Sequence, residues 1–311
     1  MTDRPLVTLG VAAYNEQHYL RESLENLLAQ TYSTLEILIG DNGSTDGTAA
    51  ICAEFAAKDK RISLIRHEKN IGQNANFNAL ARAATGTYFC WISGHDLLDP
   101  DFVEKCVAVL ESDPHIVVAC PKTIYMKMNG EKTAEKPRHF DIRTMNAQQR
   151  FRETMWRVDC NYVYGMFRHD VMLETNIFQF IPATDRVFLS QMAIRGTFTP
   201  VATCKYYRDN RGGRQTEIEK RHRLMRYIFP ERTYTDAELA GNGFYRPTVR
   251  AFYRSVYDGN FPLLTRWMLY DNVWLCGVMK AHLFPGADQL SAIVKVVLPK
   301  PLLNRLMGMM R

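Results

Sequence analysis

His95 and Asp96 are the residues whose types and position first suggest chemistry. They follow an apolar run, Tyr88 to Ile92, in the stretch YFCWISGHDLLDP. The run is short enough for a buried strand, so the two polar residues would stand at its carboxyl end, the edge at which open α/β sheets bind ligands. An imidazole and a carboxylate can hold a divalent cation, and the cation can hold a diphosphate. The alternative is a polar turn in which Asp96 caps a helix.

The elements that must position these residues alternate between strands and helices. Apolar runs predict strands at Leu6 to Ala12, Leu35 to Gly40 and Ile62 to Arg66, before the run that ends near His95. Helical spacing predicts helices at Gln17 to Gln30, Ala49 to Lys58 and Asn74 to Ala84. This alternation predicts a parallel sheet with helices on both faces. The chain has no G-x-G-x-x-G turn after its first strand and no Walker A sequence, which disfavours dinucleotide dehydrogenases and P-loop enzymes.

The second half of the chain continues with less regular elements. We predict helices at Phe102 to Leu110, Ala147 to Trp156 and Val187 to Ile194, strands at Ile116 to Cys120 and Phe198 to Val201, and a β-like segment at Asn161 to Arg168. Lys127 to Asp141 reads as a surface excursion, and Tyr206 to Arg214 as a basic, flexible loop. Residues 217–280 are helical in pattern. We therefore expect a domain at 1–215 and a helical region at 216–311.

Composition and charge narrow the function classes. The 311 residues are 46% hydrophobic and 23% charged with a net charge of +6, which is ordinary for a globular protein and suits a polyanionic ligand. The sequence has no dense block of basic residues interleaved with aromatic residues, which disfavours a nucleic-acid-binding protein. The seven cysteines include no Cys-x-x-Cys pair, which favours reduced thiols in a cytosolic protein over disulfides or a zinc site. The amino-terminal sequence has no secretory apolar region, and no run approaches the length of a membrane span.

From Leu6 to Arg214 the chain resembles the family 2 glycosyltransferases, which have the GT-A fold. The order and spacing of several short motifs carry the resemblance. They are Ala12-Ala13-Tyr14-Asn15-Glu16, then Gly40 to Thr48 (GDNGSTDGT), Asn70-Ile71-Gly72 with Asn78, the stretch ending at Pro100, and Asp185 with Gly196. The resemblance implies a Rossmann-like, mostly parallel sheet flanked by helices, with residues 216–311 as a helical extension.

The resemblance also implies a nucleotide-sugar site. Ala12, Tyr14 and Glu16 match the loop that cradles the base and ribose. Asp41 matches the acid that accepts a hydrogen bond from the base, and a carboxylate suits the N–H of uracil or guanine; the alternative is an Asx-turn or cap. The segment that closes over the diphosphate and sugar is matched by Asn70, Gly72 and Asn78. The alternative is that these residues form a turn and the solvated face of a helix.

The metal motif departs from the family pattern. The usual form is Asp-x-Asp followed by another Asp, whereas this chain has Ser93, Gly94, His95 and Asp96, so two of three carboxylates are missing. We expect His95 and Asp96 to bind a divalent cation loosely, together with the diphosphate. Imidazole suits Mn²⁺ better than Mg²⁺. Metal-independent transfer, with His95 or an Arg neutralising the phosphates, stays open.

Asp185 resembles the catalytic base of the family, which takes the proton of the acceptor hydroxyl in an inverting transfer. The alternative is an N-cap of the following helix. Arg208, Arg211 and Arg214 lie in a Gly-bearing loop that could place guanidinium groups on the leaving diphosphate, or be a solvated basic loop. The resemblance also implies that the acceptor side of the site is faced by Asn161, Tyr162, Tyr164 and Arg168. The Gln-x-x-Arg-Trp sequence of processive relatives is absent, which indicates transfer of a single sugar.

The predicted function is an inverting, non-processive transfer of one sugar, from a UDP-sugar by preference, to a saccharide or lipid-linked saccharide, in the assembly of bacterial surface polysaccharide or glycan. The alternative is a catalytically silent relative that binds nucleotide-sugar or glycan. A nucleotidyltransferase is disfavoured because Ala12 to Glu16 offers no Gly-rich, Lys-bearing loop. The apolar and basic residues of 267–311 could rest on the anionic inner face of the cytoplasmic membrane, pack on the catalytic domain or form a homodimer contact.

Overall fold

The computed structural model describes residues 4–126, 141–209, 216–240, 242–259 and 266, and a sheet of eight strands runs through this part of the chain. The strands are β1 (Val7–Ala13), β2 (Leu35–Asp41), β3 (Ile62–Arg66), β4 (Tyr88–Ser93), β5 (Leu97–Leu98), β6 (Ile116–Met126), β7 (Met166–Arg168) and β8 (Thr197–Asp209). Their order across the sheet is β3-β2-β1-β4-β7-β6-β8-β5. The predicted central sheet is therefore confirmed.

The first four strands of this order, β3, β2, β1 and β4, are parallel. Their apolar side chains are largely buried, as expected of strands covered by helices on both faces. Since the strands run in the same direction, their carboxyl ends share one edge. The residues that follow them in sequence are therefore brought to that edge together.

The other half of the sheet mixes directions and differs from the prediction in two places. The strand β8 continues through Tyr206 to Asp209, where we predicted a loop, because this segment pairs with an extended β6. Only Met166–Arg168 of the predicted β-like segment is a strand. It is preceded by a 3-10 helix, Cys160–Tyr164, whose start is fixed by the Asp159 side chain accepting a hydrogen bond from the Asn161 N–H at 3.0 Å.

Ten α-helices lie in the described residues. They are α1 (Leu20–Leu28), α2 (Thr48–Lys58), α3 (Gln73–Ala83), α4 (Phe102–Ser112), α5 (Ala147–Arg157), α6 (His169–Leu173), α7 (Thr184–Arg195), α8 (Glu217–Ile228), α9 (Asp236–Leu239) and α10 (Arg246–Asp258). The predicted helices are confirmed with boundaries shifted by one to three residues at most ends. The helix α1 starts at Leu20 rather than Gln17 because the chain first makes a turn in which the Glu16 carbonyl accepts from the Tyr19 and Leu20 N–H groups.

An aromatic cluster around Trp91 joins the strands that carry the predicted site to α7. Trp91 is fully buried in β4, and its indole N–H donates to the Phe77 carbonyl at 3.0 Å. Its ring packs edge-on against Phe167 of β7 and Phe188 of α7 at centroid distances of 5.6 Å. Such contacts fix α7 relative to β4, and hence the position of the helix start that carries Asp185.

The described helices beyond residue 216 pack on the first part of the chain. In α10, Phe252 lies edge-on to Phe151 of α5, and the Gln191 amide of α7 donates to the Ser255 hydroxyl at 2.9 Å. The predicted surface excursion except Asp141, and the whole of the apolar, basic tail, lie outside the described residues. None of the helices in the described ranges is long and apolar enough to cross a bilayer.

Candidate functional site

The loops predicted to bind a ligand meet at the carboxyl edge of β2, β1 and β4. Ala12 pairs with Ser93 and Ala13 pairs with Asp41 in the sheet register. The turn after β4 is held against β1, since the Gly94 N–H donates to the Ala12 carbonyl at 3.0 Å. The ends of three adjacent strands therefore form one surface.

His95 is held between two carboxylates at this edge. Its Nδ1 atom lies 2.8 Å from Glu16 Oε1, and its Nε2 atom lies 4.0 Å from Asp96 Oδ1. The Glu16 backbone is fixed in turn, because its N–H donates to the Thr48 hydroxyl of α2 at 2.7 Å. Glu16, expected to cradle the nucleotide, thus has a direct contact with the metal motif.

Asp96 is fully buried and hydrogen-bonded to Tyr206, a residue that was not predicted to belong to the site. The Tyr206 hydroxyl donates to Asp96 Oδ2 at 3.0 Å, and the Ser23 hydroxyl donates to the Asp96 carbonyl at 2.9 Å. Asp96 does not cap a helix, since α4 begins only at Phe102. The predicted polar turn is instead tied to α1 and β8.

The residues at this turn fit a cation site to which the protein supplies two ligands. Ligand atoms about 2.1 Å from one ion lie roughly 3.0 to 4.2 Å apart. The 4.0 Å between His95 Nε2 and Asp96 Oδ1 falls in that range. No group of three or more His, Cys, Asp or Glu side chains in the described residues is placed to hold a metal ion. The remaining ligands would therefore come from a diphosphate and water.

Asp41 presents a buried acceptor at the end of β2. Its Oδ1 atom accepts from the Ser44 N–H at 3.1 Å, as in an Asx-turn. Its Oδ2 atom is buried and has no hydrogen-bond partner in the described residues. Arg66 Nε lies 3.6 Å from it, beyond hydrogen-bond length, and the Arg66 side chain is 64% exposed, so this ion pair is weak. A buried carboxylate oxygen without a partner is costly unless a ligand supplies a donor.

The loops after β1 and β2 are joined by hydrogen bonds that our sequence analysis did not anticipate. Asn15, with a left-handed φ of 54°, accepts the Thr45 N–H at 2.9 Å, and its own N–H donates to the Ser44 hydroxyl at 3.0 Å. Beside it, the Tyr14 ring is 43% exposed. Tyr14 directly follows Ala13, which pairs with Asp41, so a partly exposed aromatic ring stands on a loop that is held in place.

Asn70, Gly72 and Asn78 mainly organise the protein. The Asn70 side chain accepts from the Gly72 N–H at 2.8 Å and from the Asn42 amide at 3.1 Å, which fixes the turn before α3. Gly72 has a φ of 91°, and a Cβ there would lie 2.6 Å from the Ile228 carbonyl at the end of α8. The Asn78 amide pairs with both the N–H and the C=O of Phe178. Their direct contact with a donor stays a prediction.

Asp185 stands in the first turn of α7, as predicted. It follows Ala183, which has the left-handed φ of 52° that is uncommon and strained for a residue other than glycine. The Asp185 Oδ1 atom accepts from the Arg186 N–H at 2.8 Å, and the Arg186 guanidinium group donates to the Cys160 sulfur at 3.9 Å. Burial and then the Asp185 charge raise the pKa of Cys160 above its ordinary value, so this thiol stays protonated. The helix dipole favours a negative charge here.

The predicted arginine loop is described only at its start. The backbone of Arg208 lies in β8, where it pairs with Tyr125 of β6, so this residue belongs to a strand rather than to a loop. Arg211 and Arg214 lie outside the described residues. Because β8 also carries Tyr206, the strand that enters this segment is anchored on Asp96.

Arg168 does not lie where the resemblance places it. It pairs with Tyr88 at the start of β4, whereas the candidate site follows the end of that strand, about 16 Å away at 3.3 Å per residue. Its guanidinium group donates to the Ile116 carbonyl at 2.7 Å and also to the carbonyls of Leu110 and Asp113. These hydrogen bonds satisfy backbone carbonyl groups near the end of α4 and the start of β6. We therefore correct the expected acceptor-side position of Arg168 to a structural one.

An Arg168→Ala variant should be less stable without losing affinity for nucleotide. Removing the guanidinium group leaves several carbonyls without their donor and should lower the free energy of unfolding by about 2–3 kcal/mol. Thermal unfolding and titration with UDP measure the two effects. Arg143→Ala, which removes an exposed Arg that pairs with nearby Asp141, is the control. Normal stability with lost sugar transfer would restore Arg168 to the acceptor site.

The other residues predicted for the acceptor side, Asn161, Tyr162 and Tyr164, lie in the 3-10 helix. The Asn161 amide donates to the Tyr125 hydroxyl at 2.6 Å. Tyr164 is buried, with its ring 5.4 Å from that of Tyr206, and burial raises the pKa of Tyr162 above its ordinary value. Their contact with an acceptor stays a prediction.

Comparison with known proteins supplies a family and a fold. The family model described as "Glycosyl transferase family 2" matches residues 8–173. An uncharacterized glycosyltransferase of Haemophilus influenzae is 37% identical over 116 residues, which are 37% of this chain and 36% of that protein. The match thus spans about a third of that relative's length.

Two solved structures have a similar fold at low identity. TarS 1-349 of S. aureus in complex with UDP has a TM-score of 0.58 and 15% identity, with 92% of this chain and 74% of that chain covered. The mannosyltransferase PcManGT of Pyrobaculum calidifontis, in complex with GDP-Man and Mn²⁺, has a TM-score of 0.52 and 18% identity, with 99% and 84% covered. At these identities the likeness concerns the fold.

Proposed function

The chain belongs to glycosyl transferase family 2 and has a GT-A-type fold, and on that premise we propose that it moves one sugar from a nucleotide-diphosphate sugar to an acceptor hydroxyl with inversion. We propose a UDP-sugar as the donor and a saccharide or lipid-linked saccharide of bacterial surface polysaccharide as the acceptor. The absence of Gln-x-x-Arg-Trp from the sequence supports transfer of a single sugar.

The observation that carries the proposal is the convergence of Asp41, His95 and Asp96 at the carboxyl ends of three adjacent parallel strands. This edge of an open α/β sheet is where ligands bind. Asp41 and the metal motif stand on either side of β1, an arrangement that suits a base at one end of the ligand and a diphosphate at the other. The UDP complex of TarS and the GDP-Man complex of PcManGT support a nucleotide-bound donor.

Asp41 would recognise the base. Its Oδ2 atom is a buried acceptor without a partner in the described part of the chain. The N–H of a uracil ring would supply the missing donor, and the exposed Tyr14 ring would lie beside the base.

His95 and Asp96 would hold the diphosphate through a divalent cation. The bound cation would neutralise the charge that develops on the leaving phosphate. The chain's own contribution is to fix the imidazole and carboxylate, through Glu16 and Tyr206, on the strand edge. Arg208 and Arg211 would add cationic groups to the same leaving group, which we propose from the sequence pattern.

Removal of metal should abolish most of the transfer. After EDTA treatment we expect activity to fall about tenfold or more, and Mn²⁺ to restore it better than Mg²⁺ because one ligand is an imidazole. Initial rates measured during titration with each cation test this. Equal activity with and without metal would contradict it and would favour neutralisation of the phosphates by side chains.

Asp185 would activate the acceptor. In the proposed step the acceptor oxygen bonds to the anomeric carbon, the bond from that carbon to the phosphate oxygen breaks, and Asp185 takes the hydroxyl proton as the nucleoside diphosphate leaves. The Arg186 N–H orients the carboxylate, and the α7 dipole stabilises its charge.

One feature favours a second candidate, a silent binder of nucleotide-sugar: Ser93 and Gly94 stand where the family pattern has carboxylate and spacer positions, and His95 replaces a second carboxylate. A thermal-shift panel of nucleoside diphosphates and nucleotide-sugars, with and without Mn²⁺, tests the shared binding function. Slow hydrolysis of the preferred donor then separates enzyme from silent binder, since release of nucleoside diphosphate needs a working site.

Residues 216–311 are proposed as a helical region beside the catalytic domain of 1–215. Its apolar and basic tail supports peripheral binding to the inner face of the cytoplasmic membrane, with a homodimer contact as the other use of the same residues. Sedimentation with anionic vesicles at low and high salt tests the membrane proposal. A protein that stays in the supernatant at both salt concentrations argues against it.

A further inference from the structure

Two polar side chains bracket the metal motif from outside. Glu16 contacts the Nδ1 side of His95, and Tyr206 contacts the Oδ2 side of Asp96. Both partners are buried, with Glu16 at 8% and Tyr206 at 0% exposure. They come from distant parts of the chain, the loop after β1 and the strand β8.

The contact with Glu16 determines which ring nitrogen of His95 carries the proton. A carboxylate only accepts hydrogen bonds, so the Nδ1 atom at 2.8 Å from Glu16 Oε1 carries the proton. In the neutral ring the lone pair is then on Nε2. That atom is the one that lies 4.0 Å from Asp96 Oδ1.

The contact with Tyr206 orients the Asp96 carboxylate in the same way. The phenol donates to Oδ2, which turns the other oxygen, Oδ1, toward His95. Tyr206 is fixed by its own strand, since Leu98 of β5 pairs with it just after the metal motif. Neither side chain can rotate away without breaking its hydrogen bond, which is part-buried for His95 and buried for Asp96.

We propose that Glu16 and Tyr206 are positioning residues that preset His95 Nε2 and Asp96 Oδ1 as the two protein ligands of one divalent cation. The proposal rests on the proposed function and gives Glu16 a different role from the expected contact with base and ribose. Residues that hydrogen-bond to a metal ligand fix its tautomer and orientation, and their loss lowers metal affinity about 10–100-fold.

The test measures binding of Mn²⁺ to the full chain in the presence of saturating UDP, by the loss of the free-Mn²⁺ signal in electron paramagnetic resonance. Glu16→Ala and Tyr206→Phe should each weaken Mn²⁺ about 10–100-fold. Glu16→Gln keeps an acceptor oxygen and should recover part of the loss. Tyr32→Phe is the matched control, because Tyr32 is also a buried residue and its hydroxyl donates to the Pro5 carbonyl, far from the turn.

A second readout identifies the ligand atom. The bound Mn²⁺ should show coupling to an imidazole nitrogen in pulsed resonance spectra of the wild type, and this coupling should be lost or altered in Glu16→Ala. Mn²⁺ affinities within twofold of wild type in both variants, or no Mn²⁺ binding to the wild-type UDP complex, would overturn the proposal. Failure of the wild type to bind any nucleotide would instead overturn the proposed function.

Discussion

Asp185→Asn is expected to lower the turnover number for sugar transfer about 10²–10⁴-fold, the usual contribution of a general base. The folded structure should be unaffected, because an amide oxygen can still accept the Arg186 N–H that Asp185 Oδ1 now accepts at 2.8 Å. Asparagine is also well tolerated near a helix start. What the variant loses is the negative charge and the basic oxygen that would take the acceptor proton. Initial rates at saturating donor and acceptor measure the effect.

Asp170→Asn is the matched control for this variant. Asp170 lies in the first turn of α6 and accepts the N–H of the next residue, Val171, at 2.8 Å, the same local geometry as that of Asp185. It is exposed, and we assign it no role in transfer. Both variants should keep the wild-type melting temperature and affinity for UDP. A turnover number within threefold of wild type in Asp185→Asn would remove this carboxylate from the mechanism.

Asp41→Asn is expected to weaken UDP binding about 10–100-fold. The Ser44 N–H fixes one oxygen of the side chain at the Oδ1 position. An amide has a single oxygen, so its NH₂ group would stand where Oδ2 stands and would face the N–H of the base, donor against donor. Leaving a donor unsatisfied in the complex costs about 1–3 kcal/mol, which corresponds to this change in the dissociation constant. Calorimetric titration measures it.

The ligand itself provides the control for Asp41. N3-methyl-UDP lacks the ring N–H, so the wild type should lose affinity for it, while Asp41→Asn should bind UDP and the methylated ligand about equally. The unliganded variant should be as stable as wild type or more so, because it replaces a fully buried carboxylate that has only a weak ion pair with Arg66. Equal dissociation constants of wild type and variant for UDP would contradict base recognition by Asp41.

The parallel half of the sheet and the residues at its edge could be predicted from the sequence because they depend on local patterns. Short apolar runs ending at Gly40 and Ile92 predicted β2 and β4, and the direction of parallel strands then placed Asp41 near His95 and Asp96. Asp185 was placed at a helix start by the apolar spacing that follows it. The positions of the proposed cation ligands, His95 and Asp96, and of the proposed base acceptor, Asp41, follow from these elements.

The partners of these residues could not be predicted, since they come from pairing across long stretches of chain. The bond between Tyr206 and Asp96 depends on β8 continuing beside β5 and β6, where Gly, Asn and Arg residues further on suggested a loop. Tertiary pairing overrides such local preferences. Arg168 was misplaced for a similar reason, because a motif match does not reveal that β7 meets the start of β4.

A structure of the full chain with UDP and Mn²⁺ tests the central claim most directly. We expect the uracil N–H within hydrogen-bond distance of Asp41 Oδ2, the diphosphate beside His95 and Asp96, and the Asp185 carboxylate directed at the space where the donor sugar would extend. Nucleotide bound away from the ends of β1, β2 and β4, or an Asp185 side chain turned from that space, would contradict the account.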